Sequence, residues 1–330
     1  MMMTFFAGLP NVAGFEYFAR AASQILMIFI YIAVGFAFRR LKLLPENTAK
    51  TLSLMETMIF LPALLFHNLS SNVRIEKITT YSTVLIGGCV FLVFVLLVAF
   101  AFAKLFAKGE YKEEYGTYMY MFAFANYGYV GYPLIEGVFG ANMLTSMILF
   151  AVPFSFAIYT YGAILLSNEK SKKFKLPPKM IPILCALALG VIVGLSGVTL
   201  PPFVTGVTAS LKSCMSPVAM LMTGFVLGSL RIKQIFTSAR AYAVSLVRLV
   251  AIPAIFFGAL LAVNSFVALP PELLVIPMIV VSMPLGLNVI IFAEASGRDS
   301  TENARMCLIS YLLSLITVPL ILAILSGYLA

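Results

Sequence analysis

Ten long apolar runs, separated by short polar connections, follow one another along most of this chain. A membrane-spanning helix needs about 20 consecutive apolar residues, and the runs have about that length. Only 11% of the 330 residues are charged, which is too few to cover a soluble protein of this size with polar groups. The pattern predicts an all-α polytopic membrane protein with ten spans, numbered in chain order: 22–39, 47–68, 82–104, 116–138, 143–166, 180–198, 206–230, 241–263, 273–296 and 305–327.

The basic residues predict how these spans are oriented. The net charge is +9, and seventeen of the 22 lysines and arginines follow spans 1, 3, 5, 7 and 9 or lie at their ends. Connections rich in Lys and Arg stay on the cytoplasmic side of a membrane. We therefore expect a cell-membrane protein with both termini outside, extracellular or periplasmic. Because the charges are clustered between apolar runs, they do not indicate a nucleic-acid partner.

The chain divides into two halves of five spans each. A basic linker at 168–179 separates residues 22–167 from residues 180–330. An odd number of spans makes the second half enter the membrane in the opposite direction, and such inverted repeats are typical of secondary transporters. Chance alignment of similar residues in the two halves is the alternative. Residues 1–21 lack the pattern of a signal peptide and are expected to form a short exposed lead-in.

Both halves place helix-breaking residues in the middle of one span. Span 4 contains the sequence NYGYVGYP, from Asn126 to Pro133, and span 9 contains MPLGLN, from Met283 to Asn288. Proline removes a backbone donor and glycine permits non-helical geometry. Free amides at a break attract anions and free carbonyls attract cations. The pattern predicts two broken helices that form a substrate site, and an ordinary proline kink with a packing asparagine is the alternative for each.

Four charged residues inside the apolar runs are further candidates, because charges within a membrane are costly and often functional. Glu56, Glu136, Arg248 and Glu294 are possible coupling or charge-pair residues. Arg248 lies deep in span 8 and either pairs with a carboxylate such as Glu294 or attracts an organic anion. A structural ion pair or partial snorkelling is the alternative. Glu56 and Glu136 either carry a proton or act as capping or solvated cavity residues.

Nothing in the sequence indicates an enzyme. No phosphate-binding loop is present, and His67 is the only histidine, which makes a histidine-based metal site or acid–base system very unfavourable. We therefore expect no catalytic residue, no metal and no cofactor, and the protein's only expected partners are a small substrate, the lipid bilayer and a second copy of itself.

Several stretches resemble the auxin efflux carrier family. They run from Asn126 to Pro133, from Phe60 to Phe66, and from Met283 through Ser310 to Pro319. The resemblance covers nearly the whole chain and implies ten helices in two inverted five-helix repeats. It also implies a scaffold of helices 1, 2, 6 and 7, a mobile transport unit of helices 3–5 and 8–10 that moves like an elevator, and a homodimer formed through the scaffold.

The same resemblance implies a substrate site where broken helices 4 and 9 cross. Two departures from the family are Leu285, which replaces a second proline found in many relatives, and a span 3 that lacks an acidic residue. We expect a secondary carrier of a small organic anion, either a malate-like carboxylate or an auxin-like acid. A passive anion channel and a sensor without transport are the alternatives, and the coupling ion (a proton, sodium or none) stays open. The expected substrate-binding residues are Asn126, Tyr127, Gly131, Pro133, Pro284 and Asn288.

Overall fold

The computed structural model describes residues 13–76, 82–166 and 180–329. Nearly all of these residues are helical, and the described part contains no β-strand beyond one pair of bridged residues. The helices are α1 (Ala13–Arg40), α2 (Thr48–Asn72), α3 (Ser82–Phe106), α4 (Tyr115–Ala123), α5 (Tyr132–Phe150), α6 (Val152–Leu165), α7 (Ile181–Ser196), α8 (Pro202–Leu227), α9 (Ala239–Phe266), α10 (Pro271–Ser282), α11 (Asn288–Ala295) and α12 (Thr301–Leu329).

The lengths and composition of these helices indicate a multi-pass membrane protein. Within the described ranges, α2, α3, α8, α9 and α12 are long and apolar enough to cross a membrane. A sixth span forms if α6 is joined to the adjacent end of α5, Asn142–Phe150, from which it bends by 42°. Helices α7 and α10 are apolar but shorter.

Each predicted span is helical over most of its described length, with one difference at the N-terminal end. Helix α1 already includes Ala13, so residues 13–21 of the expected lead-in are helical and continuous with the first span. The cause is local, because the sequence from Phe15 to Gln24 contains no glycine or proline and is rich in alanine, the best helix former. The rest of the expected lead-in and the linker at 168–179 lie outside the described residues.

Helices α1, α2, α7 and α8 pack against one another as a first group. Helix α8 lies along both α1 and α2, and α7 lies along α2. The contact between α1 and α8 is close: a Cβ on Gly35 would lie 2.0 Å from the carbonyl oxygen of Leu221, and one on Gly224 would lie 1.9 Å from that of Ile32. Small residues permit such close approach of membrane helices. These four helices are the ones to which the family resemblance assigns the scaffold.

The remaining helices form a second group that is held together by aromatic side chains. Phe91 of α3 lies at the centre of a cluster of four phenylalanine rings. Its ring centroid is 5.4 Å from that of Phe150, 5.6 Å from that of Phe154 and 4.7 Å from that of Phe256. Phe150 and Phe154 belong to α5 and α6, whereas Phe256 belongs to α9. The cluster therefore joins helices from the two halves of the chain.

Arginines bind carbonyl groups at or just beyond the C-terminal ends of three helices. Arg40 donates to the carbonyl of Leu230 just after α8, and Arg298 donates to that of Leu166 just after α6. Arg240 donates to the carbonyl of Phe106, the last residue of α3, at 2.8 Å. The last carbonyls of a helix lack intrahelical partners and carry partial negative charge. Each arginine therefore satisfies a helix end at the side that the sequence predicts to be cytoplasmic.

Candidate functional site

The first half of the chain leaves helical geometry after α4. Phe124 is extended, with φ −115° and ψ 107°, and a π turn over Tyr127–Gly131 then leads into α5. Helix α5 carries Pro133 in its first turn. Proline is favoured there, because an N–H in the first turn would have no acceptor within the helix. The break thus falls where the glycines and proline of span 4 predict it.

The second half contains a matching break between α10 and α11. Helix α10 ends at Ser282, and Met283 is extended, with φ −69° and ψ 147°. Helix α11 begins at Asn288, so the segment from Pro284 to Leu287 connects two half-helices. This break also falls where the sequence of span 9 predicts it.

The two breaks cross each other and pair through their backbones. The N–H of Asn126 donates to the carbonyl of Pro284 at 2.9 Å, and Ala125 and Leu285 form an antiparallel bridge. A Cβ on Gly286 would lie 3.0 Å from the carbonyl oxygen of Phe124, so a glycine suits this contact. Backbone groups that leave a helix inside a membrane must find partners within the protein, and here each break supplies partners to the other.

Asn126 is buried and holds the crossover together. Its side-chain amide donates to the hydroxyl of Tyr311, and its side-chain oxygen accepts from the N–H of Tyr129 at 3.2 Å. The Tyr311 hydroxyl in turn donates to the carbonyl of Leu285 at 3.4 Å, and the N–H of Leu285 donates to the Ser310 hydroxyl at 3.1 Å. Sequence reasoning missed Tyr311 as a functional residue, although the polar pair at 310–311 inside an apolar run was a usable signal.

Asn288 differs from Asn126 because its side-chain oxygen accepts no hydrogen bond from the described residues. That oxygen is also buried. The side chain lies next to the hydroxyl groups of Tyr120 and Tyr159. Asn288 is also the first residue of α11, so it lies at the positive end of the helix dipole. The position therefore offers hydrogen-bonding capacity to a bound molecule.

A narrow cavity lies at the crossover. The second group of helices contributes Asn126, Tyr127, Tyr159 and Asn288 to its wall, and the first group contributes Leu64, Asn68 and Met215. Of the described residues that line it, none carries a charge. A small ligand in this cavity would therefore contact both groups of helices and would be bound by neutral polar and aromatic groups.

A second, wider cavity adjoins the first and shares Asn68 and Tyr129 with it. Its walls include one acidic residue, Glu136, and two basic ones, His67 and Lys212. The His67 ring lies 3.0 Å from the Thr208 hydroxyl oxygen, and Glu136 lies close enough to Lys212 to interact with its charge. We call this second cavity the vestibule, and the orientation predicted from sequence puts it on the extracellular side.

The predicted substrate residues have different places in this arrangement. Asn126, Tyr127 and Asn288 line the crossover cavity. A Cβ on Gly131 would lie 3.0 Å from the Met147 methyl group, so Gly131 packs in the interior. Pro133 and Pro284 shape the breaks, and Pro284 contributes its carbonyl group to the backbone pairing.

The predicted charged residues are also separated from one another. Arg248 and Glu294 have different partners, because Glu294 accepts from the Ser300 hydroxyl at 2.6 Å and Arg248 donates to backbone carbonyls. Glu56 is fully buried beside the backbone of Ala219, and neither of its carboxylate oxygens makes a hydrogen bond of normal geometry with the described residues. Glu136 is exposed in the vestibule.

Glu56 and Arg248 both lie in π turns, in which a helix widens locally. Three of the π turns end two residues before a proline. Proline lacks an N–H and clashes with the preceding turn, and a π turn is one way to relieve that conflict. The turns and their prolines are Glu56–Phe60 with Pro62, Tyr127–Gly131 with Pro133, and Val247–Ala251 with Pro253.

Comparisons with known proteins agree with the geometry. A family model described as membrane transport protein matches residues 21–180 and again residues 171–322, so the two halves of the chain match the same model. An uncharacterized transporter of Methanothermobacter thermautotrophicus is 23% identical over 306 residues, which are 92% of this chain and 98% of the relative. An uncharacterized transporter of Methanocaldococcus jannaschii is 25% identical over 217 residues, which are 63% of this chain and 70% of the relative.

Proposed function

The chain belongs to the auxin efflux carrier family of membrane transport proteins, and we propose that it is a secondary carrier of a small organic anion. The observation that carries this proposal is the crossover of the two broken helices over one narrow cavity. Helix N-termini attract anions through their free amides and their dipoles. The π turn before α5 and the first turn of α11 both begin at this cavity.

The lining of the cavity favours a monocarboxylate with an apolar body over a malate-like dicarboxylate. The two helix N-termini can stabilise one carboxylate, and the Asn288 side chain can bind it or a neighbouring hydroxyl group. A second carboxylate would need a second cationic partner, and no charged side chain is found among the described lining residues. The tyrosines and Leu64 instead provide aromatic and apolar surface, which suits an auxin-like acid.

We further propose ten membrane spans in two inverted repeats and an elevator-type movement. The crossover cavity lies between the first group of helices, the proposed scaffold, and the second group, the proposed transport unit. Sliding the transport unit along α2 and α8 would move the cavity from one side of the membrane to the other. The adjoining vestibule then makes this an outward-facing arrangement. A homodimer formed through the scaffold, with both termini outside, completes the proposal.

Counterflow in proteoliposomes tests the carrier proposal. Vesicles that contain purified protein are loaded with unlabelled indole-3-acetate and offered the labelled acid outside, and malate is tested in parallel. We expect saturable accumulation of indole-3-acetate. The Asn288→Ala variant should raise the KM about tenfold, because a hydrogen bond to a charged group contributes about 1.5 kcal/mol.

Asn47→Ala is the matched control, since Asn47 is exposed and its side chain makes no capping hydrogen bond. Its KM should equal that of the wild type. Uptake that does not saturate would indicate a channel, and ligand-dependent thermal stabilisation without counterflow would indicate a sensor. Unchanged counterflow by Asn288→Ala would contradict the proposed site.

A further inference from the structure

Arg248 is a fully buried cation next to the crossover. Its guanidinium group donates to the carbonyl oxygens of Phe122 at 2.9 Å, Val280 at 3.2 Å and Met283 at 3.3 Å. Phe122 is in the last turn of α4, Val280 is in the last turn of α10, and Met283 follows α10 directly. One side chain therefore binds the carbonyl ends of both broken helices.

The breaks explain why these three carbonyls can accept from Arg248. In a helix each would accept from the N–H four residues later. For Val280 that residue is Pro284, which has no N–H, so Val280 accepts only a long hydrogen bond from the N–H of Met283, at 3.4 Å. For Phe122 it is Asn126, whose N–H donates to Pro284 instead. For Met283 it would be Leu287, which lies beyond the break.

No carboxylate of the described residues lies at ion-pair distance from Arg248. The ion pairs found in the described ranges join Arg39 to Glu46 and Arg305 to Glu302. The charge of Arg248 is therefore compensated by carbonyl groups and helix dipoles alone. Unwound carbonyls and half-helix C-termini are the groups that broken-helix transporters use to coordinate a cation such as sodium. In this chain the same groups surround a guanidinium group.

We propose that Arg248 is the built-in cation of the crossover, which takes the place of a bound metal cation. The inference rests on the proposed function, because it concerns the charge balance of the proposed anion site. With Arg248 at the carbonyl ends of the half-helices, the amide ends at the cavity can accept one anion without a co-bound sodium or potassium ion. Arg248 does not line the cavity, so it is a positioning residue that acts through the crossover backbone.

Thermal unfolding of the purified protein tests this proposal without requiring transport. Wild type is unfolded in sodium, potassium, lithium or choline chloride at equal ionic strength, and we expect the same Tm in all four. Arg248→Ala should have a lower Tm that millimolar guanidinium or methylguanidinium raises saturably, by about 3 °C. A merely structural loss of packing would not produce a saturable response to a guanidinium ion.

Arg240→Ala is the matched control, because Arg240 also binds a helix-end carbonyl but is only partly buried. Guanidinium should give this variant no saturable gain in Tm. The proposal is overturned if sodium or potassium stabilises the wild type saturably, or if folded Arg248→Ala responds to none of these cations. If Arg248→Ala does not fold, Arg248→Lys and Arg248→Met replace it. The lysine variant should have the higher Tm, and equal Tm values would refute the proposal.

A transport measurement separates this inference from the carrier proposal. Counterflow by the wild type should change less than twofold when choline replaces sodium. A tenfold loss would overturn the role of Arg248 and leave the carrier proposal intact. Absence of counterflow in both media would contradict the carrier proposal, while the thermal measurements would still decide whether Arg248 replaces a bound cation.

Discussion

Replacing Gly224 by alanine should push α1 and α8 apart. The added Cβ would lie 1.9 Å from the carbonyl oxygen of Ile32 and 2.9 Å from the backbone nitrogen of Phe36. The first distance is about 1.5 Å short of the 3.4 Å at which ordinary contact begins. Because both neighbours are backbone atoms, no side-chain rotation can relieve the overlap, and one helix must move.

Such overpacking typically costs about 1–3 kcal/mol. Alanine gains up to about 1 kcal/mol over glycine in a helix, so we expect a net loss of up to about 2 kcal/mol. With about 2.1 cal/mol/K of unfolding entropy per residue, a loss of about 2 kcal/mol lowers the Tm by about 3 °C. Because α1 and α8 belong to the proposed scaffold, the variant should also transport more slowly even below its Tm.

Gly206→Ala, in the same helix, provides the control. A Cβ on Gly206 would meet no atom within 4 Å, so only the helix-propensity gain applies, and its Tm should equal or exceed that of the wild type. The measurement is thermal unfolding of both variants in one detergent, monitored by tyrosine fluorescence or light scattering. If Gly224→Ala is as stable as Gly206→Ala, the close contact between α1 and α8 does not exist.

Two further substitutions test the crossover and the buried carboxyl group. Tyr311→Phe leaves the buried Asn126 amide without an acceptor, which should lower the free energy of unfolding by about 1–3 kcal/mol. Tyr242→Phe, at a half-exposed tyrosine of α9, is the control and should leave the Tm unchanged. Equal Tm values for the two variants would disprove the Asn126–Tyr311 hydrogen bond. Glu56→Gln should keep or raise the Tm, because a buried carboxyl group without a hydrogen bond of normal geometry gains little from its position. A Tm lowered by 3 °C or more would show that the contact with the Ala219 backbone stabilises the carboxyl group.

The positions of the two breaks were predictable from sequence because their causes are local. A proline lacks its N–H wherever it stands, and glycine permits extended geometry wherever the chain requires it. The sequences around Pro133 and Pro284 therefore indicated where each helix ends. Helix propensity, which hydrophobicity does not report, explains why the helix extends back to Ala13.

The partners of the polar residues could not be predicted because they depend on distant parts of the chain. Phe122 and Arg248 are 126 positions apart, and Asn126 and Tyr311 are 185 positions apart. Sequence reasoning therefore considered a carboxylate or an organic anion for Arg248 and did not consider backbone carbonyls. The available signal was the coincidence of a deep arginine with two breaks that must each leave carbonyls unsatisfied.

At the crossover, the negative carbonyl ends and the positive amide ends of the half-helices lie at different places. The carbonyl ends of α4 and α10 converge on Arg248, whereas the π turn before α5 and helix α11 begin at residues that line the cavity. With the carbonyl ends compensated by a fixed cation, the positive ends of these two helix dipoles remain at the cavity side. Because that charge comes from backbone dipoles and not from a mobile ion, it is present before any ligand binds. A single monovalent anion would then neutralise the crossover, which gives a physical reason to expect one carboxylate per transport unit and no co-transported metal ion.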